Sequence, residues 1–102
     1  MKTYFCKLIP PRATFLQDMS EDERQLMQQH GAYWRGCMDR GTAVVFGVVA
    51  DPAGAFGVGI IEVADEAEAK ALTAEDPVIR SGRGFRYDLQ VMPMGVVKRE
   101  LR

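Results

Sequence analysis

The stretch SEDERQLMQQHGAYWRGCMDRG, Ser20 to Gly41, decides how the rest of the chain is read. Ser20 followed three residues later by Glu23 is a capping box, in which each side chain satisfies the other's backbone N–H. Gly41 supplies the left-handed position on which helices commonly end. One long helix is predicted between them. At about 100° per residue, Leu26, His30, Tyr33, Trp34, Cys37 and Met38 fall within an arc of about 140°, with His30 close to its middle. Glu23, Arg24, Gln28, Arg35 and Asp39 lie mostly outside that arc. The single histidine of the chain is therefore expected to face inward, where an imidazole either serves chemistry or is satisfied by hydrogen bonds.

Upstream of this helix, TYFCKLI (3–9) is rich in aromatic and branched residues and stops at Pro10-Pro11, so it reads as a strand. Downstream, TAVVFGVVA (42–50) and FGVGIIEV (56–63) read as two strands of an antiparallel hairpin, with Pro52 set for the second position of the turn. In the first of these, Val44, Phe46 and Val48 alternate against Ala43, Val45 and Val49. Gly57 and Gly59 fall on one side of the second, which suits close approach of another group. Asp65 with Glu68 opens a second helix carrying Ala67, Ala71 and Leu72, and this helix must end by Asp76 because Pro77 follows. In GFRYDLQVMP (84–93), Phe85, Tyr87, Leu89 and Val91 alternate against Arg86, Asp88 and Gln90, which predicts the last strand.

The resulting β-α-β-β-α-β order predicts an α+β, ferredoxin-like sandwich: a four-stranded antiparallel sheet with two helices on one face. The hairpin strands are apolar on both sides, so the uncovered sheet face is expected to pack against a second sheet.

Composition narrows the function classes. The 102 residues carry no composition break, and one domain over 1–102 is expected. Thirteen basic residues are dispersed among fourteen acidic ones, with no stripe for nucleic acid. The start, MKTYFCKLIPPR, is broken by a lysine and two prolines before a signal-peptide core can form, and no segment approaches the roughly 20 apolar residues of a membrane span. A cytoplasmic protein without membrane association is expected. Cys6 and Cys37 lack a CxxC spacing and read as buried, reduced thiols; with one histidine they make no zinc set. FGVG and SGRG lack the context of a nucleotide-binding turn. Neither metal nor cofactor is expected.

His30 and Cys37 stand about 10 Å apart along the helix axis, which excludes a local thiolate–imidazole pair. Asp76, in EDPVIRSGRG (75–84), is the candidate partner, at the end of the second helix where it packs beside the first. A carboxylate there orients the ring and favours its charged form. The alternative is that Asp76 merely ends the helix before Pro77. Arg12, Arg80 and Arg83 are candidate anchors for an acidic small molecule, against the commoner fate of a solvated surface arginine. If His30 serves chemistry, Tyr33, Trp34 and Phe85 are expected to wall a cavity beside it.

The pattern H-x10-G-x5-G at His30, Gly41 and Gly47, the hairpin DPAGAFG, and DPVIRSG with Asp76, Pro77 and Gly82 follow one another over nearly the whole chain. In their order and spacing the chain resembles the YCII-related (YciI-like) family of the dimeric α/β barrel superfamily. The resemblance implies a ferredoxin-like protomer, a homodimer built sheet to sheet as a dimeric α/β barrel, and a site on a histidine and an aspartate, matching His30 and Asp76. Relatives include a chloromuconolactone dehalogenase, and the superfamily includes muconolactone isomerases, monooxygenases and haem enzymes, so fold alone indicates function weakly. The segment PPRATFLQDMS (10–20) departs from shorter members and would shape a pocket rim with Arg12 and Phe15. The expected function is cofactor-independent acid/base chemistry on a small molecule, such as lactone-type isomerisation or elimination. His30 would be the base and Asp76 its orienting partner, with Arg12, Tyr33, Trp34 and Phe85 as substrate-binding residues. The alternative is a non-catalytic small-ligand-binding or assembly module of the same fold.

Overall fold

The capping box forms as the sequence predicts. The Ser20 hydroxyl accepts from the Glu23 N–H at 3.1 Å, and the Glu23 carboxylate accepts from the Ser20 N–H at 2.9 Å. In the computed structural model, which describes residues 1–97, this box opens a helix over Glu21–Asp39. Gly41, at φ 78°, closes it. In chain order the elements are β1 (Lys2–Ile9), α1 (Phe15–Asp18), α2 (Glu21–Asp39), β2 (Ala43–Val49), β3 (Phe56–Val63), α3 (Glu66–Ala74), α4 (Pro77–Arg80) and β4 (Arg86–Met92). The two short helices α1 and α4 add to the expected β-α-β-β-α-β frame without disturbing it.

The sheet runs β2-β3-β1-β4, antiparallel throughout, which is the ferredoxin-like arrangement. Directly opposed residues share a face. Leu8 pairs with Gly57 and Tyr87, and Cys6 with Gly59 and Leu89, so these side chains turn toward the helices. The core on that side joins Tyr4, Cys6, Ile61 and Val63 of the sheet to Trp34, Cys37 and Ala69 of the helices. A second cluster of Leu8, Phe15, Val78 and Phe85 lies under α1 and α4. Both cysteines are buried and free, and burial pushes the Cys6 thiol up to about 12.

Two expectations are corrected. A register shift between Ala43 and Val45 places Ala43 opposite Ile61 and Val45 opposite Ile60, so Ala43 joins Phe46 and Val48 on the helix side. An inserted residue in one strand reverses the alternation behind it, which strict period-two counting does not foresee. Met38, at the margin of the predicted inward arc, is exposed.

The other sheet face carries Phe5, Ile9, Val45, Val49, Val58 and Ile60, with no element of the described chain over it. Val45 is 51% exposed and Val49 41%. Among the described residues no helix is long and apolar enough to cross a membrane.

The six-membered ring of the Trp34 indole packs against Gly59, so that a Cβ there would overlap it. Gly31, by contrast, faces open space on α2. Urea unfolding is therefore expected to show Gly59→Ala destabilising the protein by about 1–3 kcal/mol through overpacking. Gly31→Ala should stabilise it by about 0.5–1 kcal/mol through helix propensity.

Candidate functional site

Pro77 decides where the site forms. It bars its predecessor from helical geometry and itself suits the first position of a helix, so Asp76 adopts an extended conformation and α4 begins immediately after it. Asp76 does more than end α3: it caps α4, its Oδ1 accepting from the Val78 N–H at 3.1 Å. α4 approaches α2 more closely than α3 does. That contact leaves Oδ2 aimed at α2, where His30 and Trp34 stand one turn apart on the same side.

Oδ2 is the convergence point. It accepts from His30 Nδ1 at 2.8 Å, from Trp34 Nε1 at 3.0 Å and from the Tyr87 hydroxyl at 2.5 Å. Trp34 Nε1 also donates to the Tyr87 oxygen at 3.0 Å, which closes the network on itself. Asp76 is fully buried. Burial pushes its carboxyl up, yet the hydrogen bond and charge of His30, then the Tyr87 hydroxyl and the Val78 N–H, outweigh burial and hold it below its ordinary range. Burial and the adjacent carboxylate push the Tyr87 phenol up, so it remains a donor.

An ionised carboxylate only accepts, so Nδ1 of His30 must carry the proton in this pair. In the neutral ring Nε2 is then the lone-pair atom, and it has no protein partner among the described residues. The imidazole, 15% exposed, forms part of the wall of a cavity of about 320 Å3. Leu8, Phe15, Met19, Met27, Phe46 and Phe85 supply much of the remaining wall. Trp34 and Tyr87 border a narrow recess beside the same histidine.

Residues 3–94 match the family model of the YCII-related domain. The chain belongs to the YCII-related family. No curated protein sequence matches it.

Within this YCII-related chain the structure brings together His30, Asp76, Trp34 and Phe85, and separates the others. The Tyr33 hydroxyl donates to the Leu72 carbonyl at 2.6 Å, tying α2 to α3, and burial pushes its phenol up to about 12; it does not line the cavity. Arg12 is also absent from the wall. Its guanidinium reaches both carboxylate oxygens of Glu23 at 2.8 Å, and Asp18 at 2.8 Å, while lying over the Phe15 ring. These bonds hold the Glu23 carboxyl down at about 2. Arg12 thus pins α1 to α2 and shapes the rim without turning toward a ligand. Arg80 and Arg83 are exposed beside Glu75 and Asp22.

Sequence reasoning did not single out Tyr87. Its signal was present: an inward tyrosine in a strand buries a hydroxyl that must find a partner. Among the described residues no group of three or more His, Cys, Asp and Glu side chains is placed to hold a metal ion.

The folded value of Asp76 lies below the unfolded one, so its stabilisation is fully present above about pH 4 and is lost as pH falls further. Urea midpoints should drop on that acid limb in the wild type. Asp76→Asn should cost about 3–5 kcal/mol at neutral pH and flatten the acid limb. An unchanged acid limb in the variant would assign acid sensitivity to other carboxylates.

Proposed function

We propose that this chain is a cofactor-independent enzyme that moves a proton on a small molecule held beside His30. The observation that carries the reading is a buried aspartate fixing Nδ1 of an imidazole whose ring also walls an apolar cavity. Neutral His30 accepts a proton at Nε2, as from carbon next to a carbonyl, and Asp76 stabilises the imidazolium that forms. Trp34 and Tyr87 keep the carboxylate in place while that charge appears. The protonated ring returns the proton to another atom of the substrate or to the leaving group, which covers isomerisation and elimination from a lactone-type ring. Exclusion of water by the apolar wall strengthens both interactions.

The second reading is a non-catalytic ligand-binding module. It is favoured by the saturation of Asp76, whose two oxygens accept from four donors, as a purely structural carboxylate also would. The two readings separate in heavy water. Cyclic ketones and lactones, with and without a carboxylate, are incubated with the protein, and deuterium entering next to the carbonyl is followed by NMR. The enzyme reading expects exchange next to the carbonyl, and about 10²–10⁴-fold slower exchange in folded His30→Ala. No exchange across the panel, or undiminished exchange in that variant, gives the module reading the field.

We also propose that the chain is a homodimer formed through the uncovered sheet face. Its apolar strip is worth about 25 cal/mol per Å2 on burial, set against the cost of association. Light scattering should report twice the 11.4 kDa chain mass. Val45→Glu, at a position half open in the protomer, should give a folded monomer, whereas a dimer that survives it would place the interface elsewhere.

A further inference from the structure

The walls of the cavity beside His30 carry a consequence for the charge of what enters it. Among the described wall residues His30 is the one side chain with a nitrogen or oxygen atom; the others are aliphatic, aromatic, thioether, proline or glycine. Three cations stand close to wall residues, and none lines the cavity. Lys7 lies 4.4 Å from the Phe56 ring centre, Arg35 5.9 Å from that of Phe46, and Arg12 is tied to Glu23 and Asp18. The buried carboxylate behind the imidazole sets the sign of the site. With His30 neutral the pair carries a net negative charge, and with His30 protonated it carries none; it is positive in neither state.

A carboxylate entering such a space gives up its water and meets no cation beyond an imidazolium that Asp76 already neutralises. An ammonium meets aromatic faces but must also leave its water, while the nearest full negative charge is screened by the histidine ring. A neutral molecule loses little and gains the apolar wall. We propose that the cavity takes an uncharged organic molecule of about one substituted ring or two fused rings, which makes one polar side-chain contact, at Nε2 of His30, and that the cavity discriminates against carboxylates. The size follows from volume: an apolar cavity of about 150 Å3 holds benzene, and this one is about 320 Å3. The inference deepens the proposed proton-transfer reading, since it concerns the same site. It also departs from the acidic ligand that the arginines suggested, because those arginines are held elsewhere.

The sequence contains one histidine and one tryptophan, so the NMR signals of the His30 ring and the Trp34 indole N–H report on the site without ambiguity. Benzyl alcohol, benzoate and benzylammonium share one ring size and differ in charge, and each is titrated into the full-length protein at neutral pH. Benzyl alcohol is expected to shift both signals and to bind at least tenfold more tightly than either ion. Leu16→Arg places a cation on an exposed part of the rim and is expected to narrow the gap to benzoate several-fold. Benzoate or benzylammonium binding as tightly as the alcohol overturns the proposal, as does the absence of any shift with all three probes. An unchanged gap in folded Leu16→Arg overturns its charge basis. These titrations need no turnover. Expected binding without deuterium exchange sinks the catalytic reading alone, and a preference for benzoate with intact exchange sinks this one alone.

Discussion

A single carboxylate oxygen, Oδ2 of Asp76, ties three parts of the fold together. It receives donors from two turns of α2 and from β4, while its sister oxygen caps the helix that follows it in the chain. An isolated charge at full burial is strongly unfavourable, and these donors are what make this one tolerable. The position of α4 on α2, the inward turn of Tyr87 and the tautomer of His30 are therefore parts of one solution to the placement of a charge. Removing a donor changes more than one contact, since Trp34 and Tyr87 also bond to each other. Networks of this kind are not additive.

The same arrangement rests on a rigid apolar support. The apolar cluster of Leu8, Phe15, Val78 and Phe85 supports the cavity from below, and Phe85 meets Phe15 edge to face at 5.2 Å. α1 is only one turn long and lacks a side-chain cap of its own. Its position is set instead by Arg12, whose bonds to Asp18 and Glu23 also reinforce the box that starts α2. The rim of the cavity and the first turn of the main helix thus share one ionic cluster.

Local chemistry was the legible part of the sequence. Ser20 with Glu23, Asp65 with Glu68, the Pro52 turn and the two-residue alternation of β4 each have a cause within a few residues, and each element appears close to where those signals put it. His30 was legible for the same reason, since helical periodicity alone turns it inward. Its pairing with Asp76 was legible as one of two readings, because the Asp-Pro step fixes a helix boundary but not the angle at which the next helix departs. What escaped depends on contacts distant in sequence. The bulge that turns Ala43 inward exists only in pairing with β3, and Tyr87 is recruited only once β4 lies beside β1. Arg12 was assigned to a ligand because a charge in a loop carries no mark of the two carboxylates that will claim it.

The seat of Trp34 on Gly59 limits how this sequence can change over evolutionary time. A larger residue at 59 requires a smaller one at 34, but the indole that would be lost is also a donor to the buried carboxylate. A single step at either position passes through a misfit or an unsatisfied charge, and even the paired step leaves Asp76 one donor short. Viable routes must alter the strand, the helix and the polar cluster together. A glycine on the sheet floor, with no side chain of its own, thereby constrains the electrostatics of the site above it.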